Sequence, residues 1–333
     1  MPPIPIAGFR QRPQWLVVAA LLVAGQAGLA LPLFGPDRNF VPLKDSRPIL
    51  DGRHPLHLYH GSISAGTFRD HLAVTCYDPN FQAGYPKTPV FDSGSRPAEA
   101  FLYLAHGNEF YPSAYKWGVF ITCALVPLLF IAAARNFGLR PAGAVMAGAL
   151  GVLIWWTPPV QAMLKSGQVD ALLAGLAAIC FLGGLARYAV DAGPTAWLTM
   201  ALASVVGWYV HPVAWLGTVP VLALYYLVNA PRQGLAWHLG FFAILPVGLT
   251  PNVGWITDWG RFWWLRQPFH ESAPWPAWRE LVGLPEQYLE LLGPGTFGGS
   301  LALVGLLGLA LMVRQQRTGN AILLISAVFS AAV

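Results

Sequence analysis

Residues 50–62 read LDGRHPLHLYHGS and set Asp51, His54, His57 and His60 three positions apart. A carboxylate beside imidazoles can take a proton, orient a substrate or contribute to a metal site. On a helix, residues three apart differ by about 300° around the axis, so each step drifts about 60° backwards. Asp51, His54 and His57 can therefore converge on a substrate or a metal, and His60 points away. Each histidine can equally be satisfied by water and headgroups at an interface. No HExxH pattern and no cysteine pair at ligand spacing accompanies them, which makes zinc the weaker reading.

Further ionisable residues qualify by position. Asp45 precedes Asp51 in the same segment, and Asp78 and Asp92 flank the Gly- and Pro-rich stretch YDPNFQAGYPKTPVFD, where they can hold an acceptor or a divalent metal or simply shape turns. Lys165 and Asp170 bracket a short connection between apolar runs. At the head of a helix a carboxylate such as Asp170 also complements the helix dipole. Arg261 and Arg266 lie in the aromatic segment WITDWGRFWWLRQPF.

The elements that position these residues must sit in a bilayer. The chain of 333 residues is 55% hydrophobic and 11% charged, against about 25% charged in soluble domains. Residues 15–34 form an uncharged run long enough to span about 30 Å of hydrocarbon, and too long for a usual signal-peptide core. Further apolar runs cover 117–134, 142–156, 169–188, 195–210, 213–229, 237–256 and 297–313, with an unfinished one from 321 onward. The fold class expected is all-α, a polytopic bundle of eight or nine spans, and the unfinished run is what a piece of a longer protein would show. The three cysteines offer no disulfide framework.

Arginine sets the orientation. With the N-terminus cytoplasmic, Arg10 and Arg12, Arg135 and Arg140, Arg187, Arg232, and Arg314 and Arg317 all fall inside, as the positive-inside rule requires. This use of the basic residues leaves the net charge of +5 with no call for nucleic acid. Residues 35–114 and 257–296 are then long outer segments holding thirteen of the 15 carboxylates. The expected organisation is a tail and first span (1–34), an outer loop with the candidate site (35–114), a bundle (115–256), an aromatic outer loop (257–296) and C-terminal spans (297–333). Within the first loop, 52–66 and 97–106 are expected as amphipathic helices along the membrane surface.

The order of first span, long outer loop with an early aspartate and histidines, YDPNFQAGYP turn and many spans resembles the GT-C superfamily of membrane glycosyltransferases. Within it the likeness is to bacterial membrane proteins labelled 6-pyruvoyl-tetrahydropterin synthase-related. Asp51-Gly52 with His54 and His57, the Asn80-Phe81 to Gly84-Tyr85-Pro86 turn, and Tyr115-Lys116 carry it, over residues 10–270. The resemblance implies a polyprenyl-phosphate sugar donor in the lipid of the bacterial cytoplasmic membrane, handled at its outer face, with an acceptor it leaves open. It also implies a catalytic aspartate in the first outer loop, a role that falls by position to Asp51, with Asp45 next. His54 would assist catalysis; Asp45, His57, Asp78, Asp92, Lys165, Asp170, Arg261 and Arg266 would bind substrate. The chain lacks a clear diacidic motif in that loop, which leaves the metal requirement open.

A transporter or flippase of lipid-linked substrates is the main alternative, and a non-catalytic partner in envelope assembly is another. Transporters bury ionisable groups at mid-depth. Here the apolar runs carry almost none, and one outer loop of about 80 residues dominates.

Overall fold

The computed structural model describes residues 13–262 apart from 36–38, 72, 74–75, 81–83, 88–92, 106–109, 213–214 and 216–217. Prolines punctuate the helices. Pro112, Pro141, Pro158 and Pro194 each stand first in a helix, where a missing N–H leaves no bond unmade.

Helix α1 covers Pro13–Ala30 and is followed by a short α2, Val41–Lys44. Helix α3 (His54–His71) leads to a two-stranded antiparallel hairpin, β1 (Cys76–Asp78) against β2 (Tyr85–Lys87), and then to α4 (Arg96–Leu104). The bundle follows as α5 (Pro112–Asn136), α6 (Pro141–Trp155), α7 (Pro158–Ser166), α8 (Val169–Val190), α9 (Pro194–Val210), α10 (Thr218–Asn229), α11 (Leu235–Leu249) and α12 (Val253–Phe262).

Four segments are long and apolar enough to cross a membrane: Gln14–Leu33, Pro112–Asn136, Val169–Val190 and Leu235–Asp258. Helices α6 and α7, bent by 62° at Trp156-Thr157, make a fifth if the pair is one broken span. By helix length and hydropathy the chain is a multi-pass membrane protein. Helices α9 and α10 fill two more of the expected apolar runs, but at 17 and 12 residues they are shorter. The runs expected at 297–313 and from 321, and most of the aromatic loop, lie outside the described residues.

Two apolar cores stack along α8. One joins α1, α3, α4, α5 and α7 to the first half of α8; the other joins its second half to α9, α10 and α11. Outside them, Leu16, Leu21 and Leu29 of α1 and Leu198 and Leu202 of α9 are exposed, as lipid-facing side chains would be.

Gln26 is the polar exception within α1. Its Nε2 donates to the Cys123 carbonyl of α5 at 3.1 Å, and its Oε1 accepts from Trp156 Nε1 at 2.8 Å. Trp156 stands at the α6–α7 break, where Gln161 Nε2 also caps the Trp155 carbonyl at 2.8 Å. The Trp155 carbonyl at the bend is thereby given a partner.

The two ends of the bundle differ. At one, Arg187 Nη1 donates to Asn136 Oδ1 at 3.4 Å and Tyr188 Oη to the Trp237 carbonyl at 3.3 Å, so the expected inside arginines of α5 and α8 gather beside the start of α11. At the other lie α2, α3, α4, α7 and the starts of α5 and α8. Here the surface helices expected from sequence are corrected. Helix α3 buries His54, His57, Leu58, His60, Ser64 and Ala65, and α4 buries Arg96, Ala98, Glu99 and Leu102. Both pack into the end of the bundle, because their polar residues find partners inside it.

Candidate functional site

Asp51 reaches its place through two glycines in left-handed backbone. Gly52 has φ +55°, and a Cβ there would lie 2.6 Å from Ser166 Cα; Gly167 has φ +89°, and a Cβ there would lie 2.9 Å from the His54 nitrogen. Helix α7 ends on Gly167 in a Schellman turn, with Gly167 N–H donating to the Leu164 carbonyl at 3.1 Å and Gln168 N–H to that of Met163 at 2.9 Å. The start of α3 docks on this turn: Arg53 N–H donates to the Ser166 carbonyl at 2.9 Å. Backbone meets backbone, so no side chain fits between.

The docking aligns Asp51 with Lys165 on one small open depression, lined also by Leu33, Phe34, Ile49, His54, Val119 and Leu164. Leu33 and Phe34 close the end of the first span, and Val119 belongs to the second turn of α5. Asp51 and Lys165 are both exposed. Neither makes a side-chain hydrogen bond or ion pair with the described residues.

His54 forms the buried back of this depression, 3% exposed. Its Nε2 lies 2.7 Å from the Leu164 carbonyl, which only accepts, so Nε2 carries the proton. With burial holding its pKa below the usual histidine range the ring is neutral, and Nδ1 accepts from Tyr115 Oη at 2.7 Å. Both nitrogens are engaged; direct proton transfer at His54 requires one of these bonds to open.

The other expected residues are dispersed. Asp45 sits 3.9 Å from Lys116 Nζ and 3.5 Å from Arg47 Nε. Lys116 also donates to the carbonyls of Pro42 and Asp45, and Ser113 to that of Leu43, which ties α2 to the head of α5. His57 packs against Gly94, where a Cβ would come within 2.5 Å of the ring. Asp78 is buried, accepts Asn80 N–H at 2.9 Å and accepts from Tyr59, whose phenol is pushed up by that bond. Asp170, also buried, lies 3.8 Å from His211 Nε2. Arg261 is exposed and shares the neighbourhood of Asp258, away from the Asp51 depression. Asp92 and Arg266 lie outside the described residues. Among the described residues, no group of three His, Cys, Asp or Glu is placed to hold a metal ion.

One cluster has no counterpart in the sequence reading. Arg96 Nη1 is 2.9 Å from each oxygen of Glu99, one helical turn on, and its guanidinium lies 4.2 Å from the centre of the Tyr209 ring. Tyr209 Oη donates to Glu99 Oε1 at 3.2 Å, and Asp258 adds a further nearby negative charge. Arg96 and Glu99 are 1% and 3% exposed. Burial disfavours the Arg96 charge, but these partners outweigh it and its pKa is raised. The pair at i, i+3 in RPAE was the available signal; in a loop helix it reads as a solvated face. The cluster fastens α4 to the end of α9.

No protein-family model, curated protein or solved structure matches this chain.

Proposed function

We propose that the chain is a membrane glycosyltransferase that takes a sugar from a polyprenyl-phosphate donor at the outer face of a bacterial cytoplasmic membrane. The observation that supports this most is the uncommitted pair Asp51 and Lys165 on one depression whose wall is the end of the first span. In this reading the bundle has a GT-C-like arrangement of eight or nine spans, with α9 and α10 among them and the N-terminus cytoplasmic. Asp51 accepts the proton of the acceptor hydroxyl as that oxygen bonds to the anomeric carbon. The bond from the anomeric carbon to phosphate breaks, and the lipid phosphate leaves with the electron pair beside Lys165. His54 acts as a positioning residue, held by Tyr115 and Leu164 behind Asp51.

The test is transfer of labelled sugar from a panel of polyprenyl-phosphate sugars by the reconstituted chain. Asp51→Asn abolishes transfer with membrane insertion unchanged, and Lys165→Gln raises the KM for the donor. Transfer by Asp51→Asn at the wild-type rate removes Asp51 from the mechanism.

A second reading, transport of a lipid-linked substrate, is favoured by the 62° break between α6 and α7, since broken helices often frame transport sites. Movement of labelled lipid between leaflets without any covalent change to it would select that reading.

A further inference from the structure

Four aromatic rings mark a level at the carboxylate-rich end of the bundle. Phe40 stacks on Trp117 at 5.9 Å, and Phe34 and Phe40 both meet Phe120 edge-on, at 6.1 and 5.8 Å. Phe34 follows the first span and Trp117 and Phe120 lie in the first turns of α5, so the rings stand where apolar spans give way to polar chain. Aromatic belts occupy that depth in membrane proteins. The segment that continues from Phe40 is held there by Lys116 and Ser113, and it cannot lift away as a free loop.

That segment turns both greasy and cationic side chains outward. Phe40, Val41 and Leu50 are 48%, 67% and 78% exposed, and Lys44, Arg47 and Arg53 are exposed beside them. On α2, Val41 and Lys44 lie about 60° apart around the axis, with buried Leu43 on the far side. Asp45 is within reach of Lys116 and Arg47, which leaves Asp51 as the exposed carboxylate of residues 40–53. The surface is therefore net positive, with aliphatic tips at headgroup depth.

We infer that Phe40–Arg53 is a docking surface for anionic phospholipid headgroups of the leaflet at this end of the bundle, with Val41 and Leu50 dipping into the acyl boundary. A water-facing loop would carry no advantage from three bare hydrophobes at that depth; an anionic leaflet answers both the charge and the apolar tips.

The test uses the full chain reconstituted in bilayers of mixed phosphatidylglycerol and phosphatidylcholine. Native mass spectrometry of the released protein should find phosphatidylglycerol retained in preference. In Lys44→Gln/Arg47→Gln/Arg53→Gln, whose altered side chains are all exposed, that preference should fall by about tenfold. A nitroxide on Leu50→Cys, with Cys76 and Cys180 changed to Ser, should be relaxed by oxygen and shielded from a water-soluble nickel chelate. An unchanged lipid preference in the triple variant overturns the inference. So does a nitroxide open to nickel, which would point instead to a soluble partner.

Discussion

Arg53 and Ser166, 113 positions apart, share a backbone hydrogen bond of 2.9 Å, and through it the first long loop is fixed to the end of α7. Asp51 and Lys165 sit one or two residues from this bond. Their alignment therefore depends on backbone geometry more than on any attraction between them.

Gly52→Ala should break that alignment. The new Cβ meets the Ser166 backbone at 2.6 Å in a residue already at φ +55°. Left-handed backbone alone costs an alanine about 1–2 kcal/mol, and the clash adds to it. The expected result is faster proteolysis within residues 45–55 and loss of any activity that needs Asp51, with α5 and α8 still protected. Unchanged protection would show that α3 docks by other contacts.

His54 gives the loop a pH dependence. Burial lowers its pKa, so the unfolded chain binds this proton more readily than the folded chain does. Its contribution is complete above the unfolded value near 6.5 and is lost as pH falls through the folded value. The thermal-stability margin of wild type over His54→Gln in detergent should shrink between about pH 7 and pH 5. A margin that grows over that window would show that the ring is charged in the fold.

Glu99→Ala leaves the Arg96 guanidinium buried without its carboxylate, a change of about 3–5 kcal/mol in comparable buried pairs. Arg96→Met/Glu99→Leu should recover most of that loss, since two charges then leave the interior together. The melting temperatures of the single and double variants decide it. A double variant no better than Glu99→Ala would mean that Tyr209 and Asp258 depend on Arg96 for their own placement.

Gln26→Leu should weaken the joint between α1 and the α6–α7 break. It strands Trp156 Nε1 and the Cys123 carbonyl in an apolar setting, at about 0.6–2 kcal/mol per bond. Steric trapping in bilayers would measure the loss, and cysteine pairs between α1 and α6 would cross-link less evenly.

Much of the helical plan was legible from residue type. Apolar runs located α1, α5, α6, α8 and α9, and the helix expected over residues 52–66 overlaps α3. The prolines at 158 and 159 read as a connection; they also begin a nine-residue helix, and only the tertiary setting shows why it bends. Polar residues of the first loop were placed at the membrane surface because burial of a charge is costly without partners. The partners are remote in sequence, Tyr209 for Arg96 and Tyr115 with Leu164 for His54, so no local pattern could announce them. The shared placement of Asp51 and Lys165 follows from a chain-wide meeting of two glycines that adjacent residues do not encode.

The Gln26 clasp also limits how the first helix can move. A turn of α1 by one residue would swing its amide about 100° and leave two hydrogen-bonding groups facing hydrocarbon. In a segment otherwise smooth enough to spin or slide, this one side chain works like the key in a shaft: it indexes α1 against its neighbours and leaves only motions in which all three travel as one.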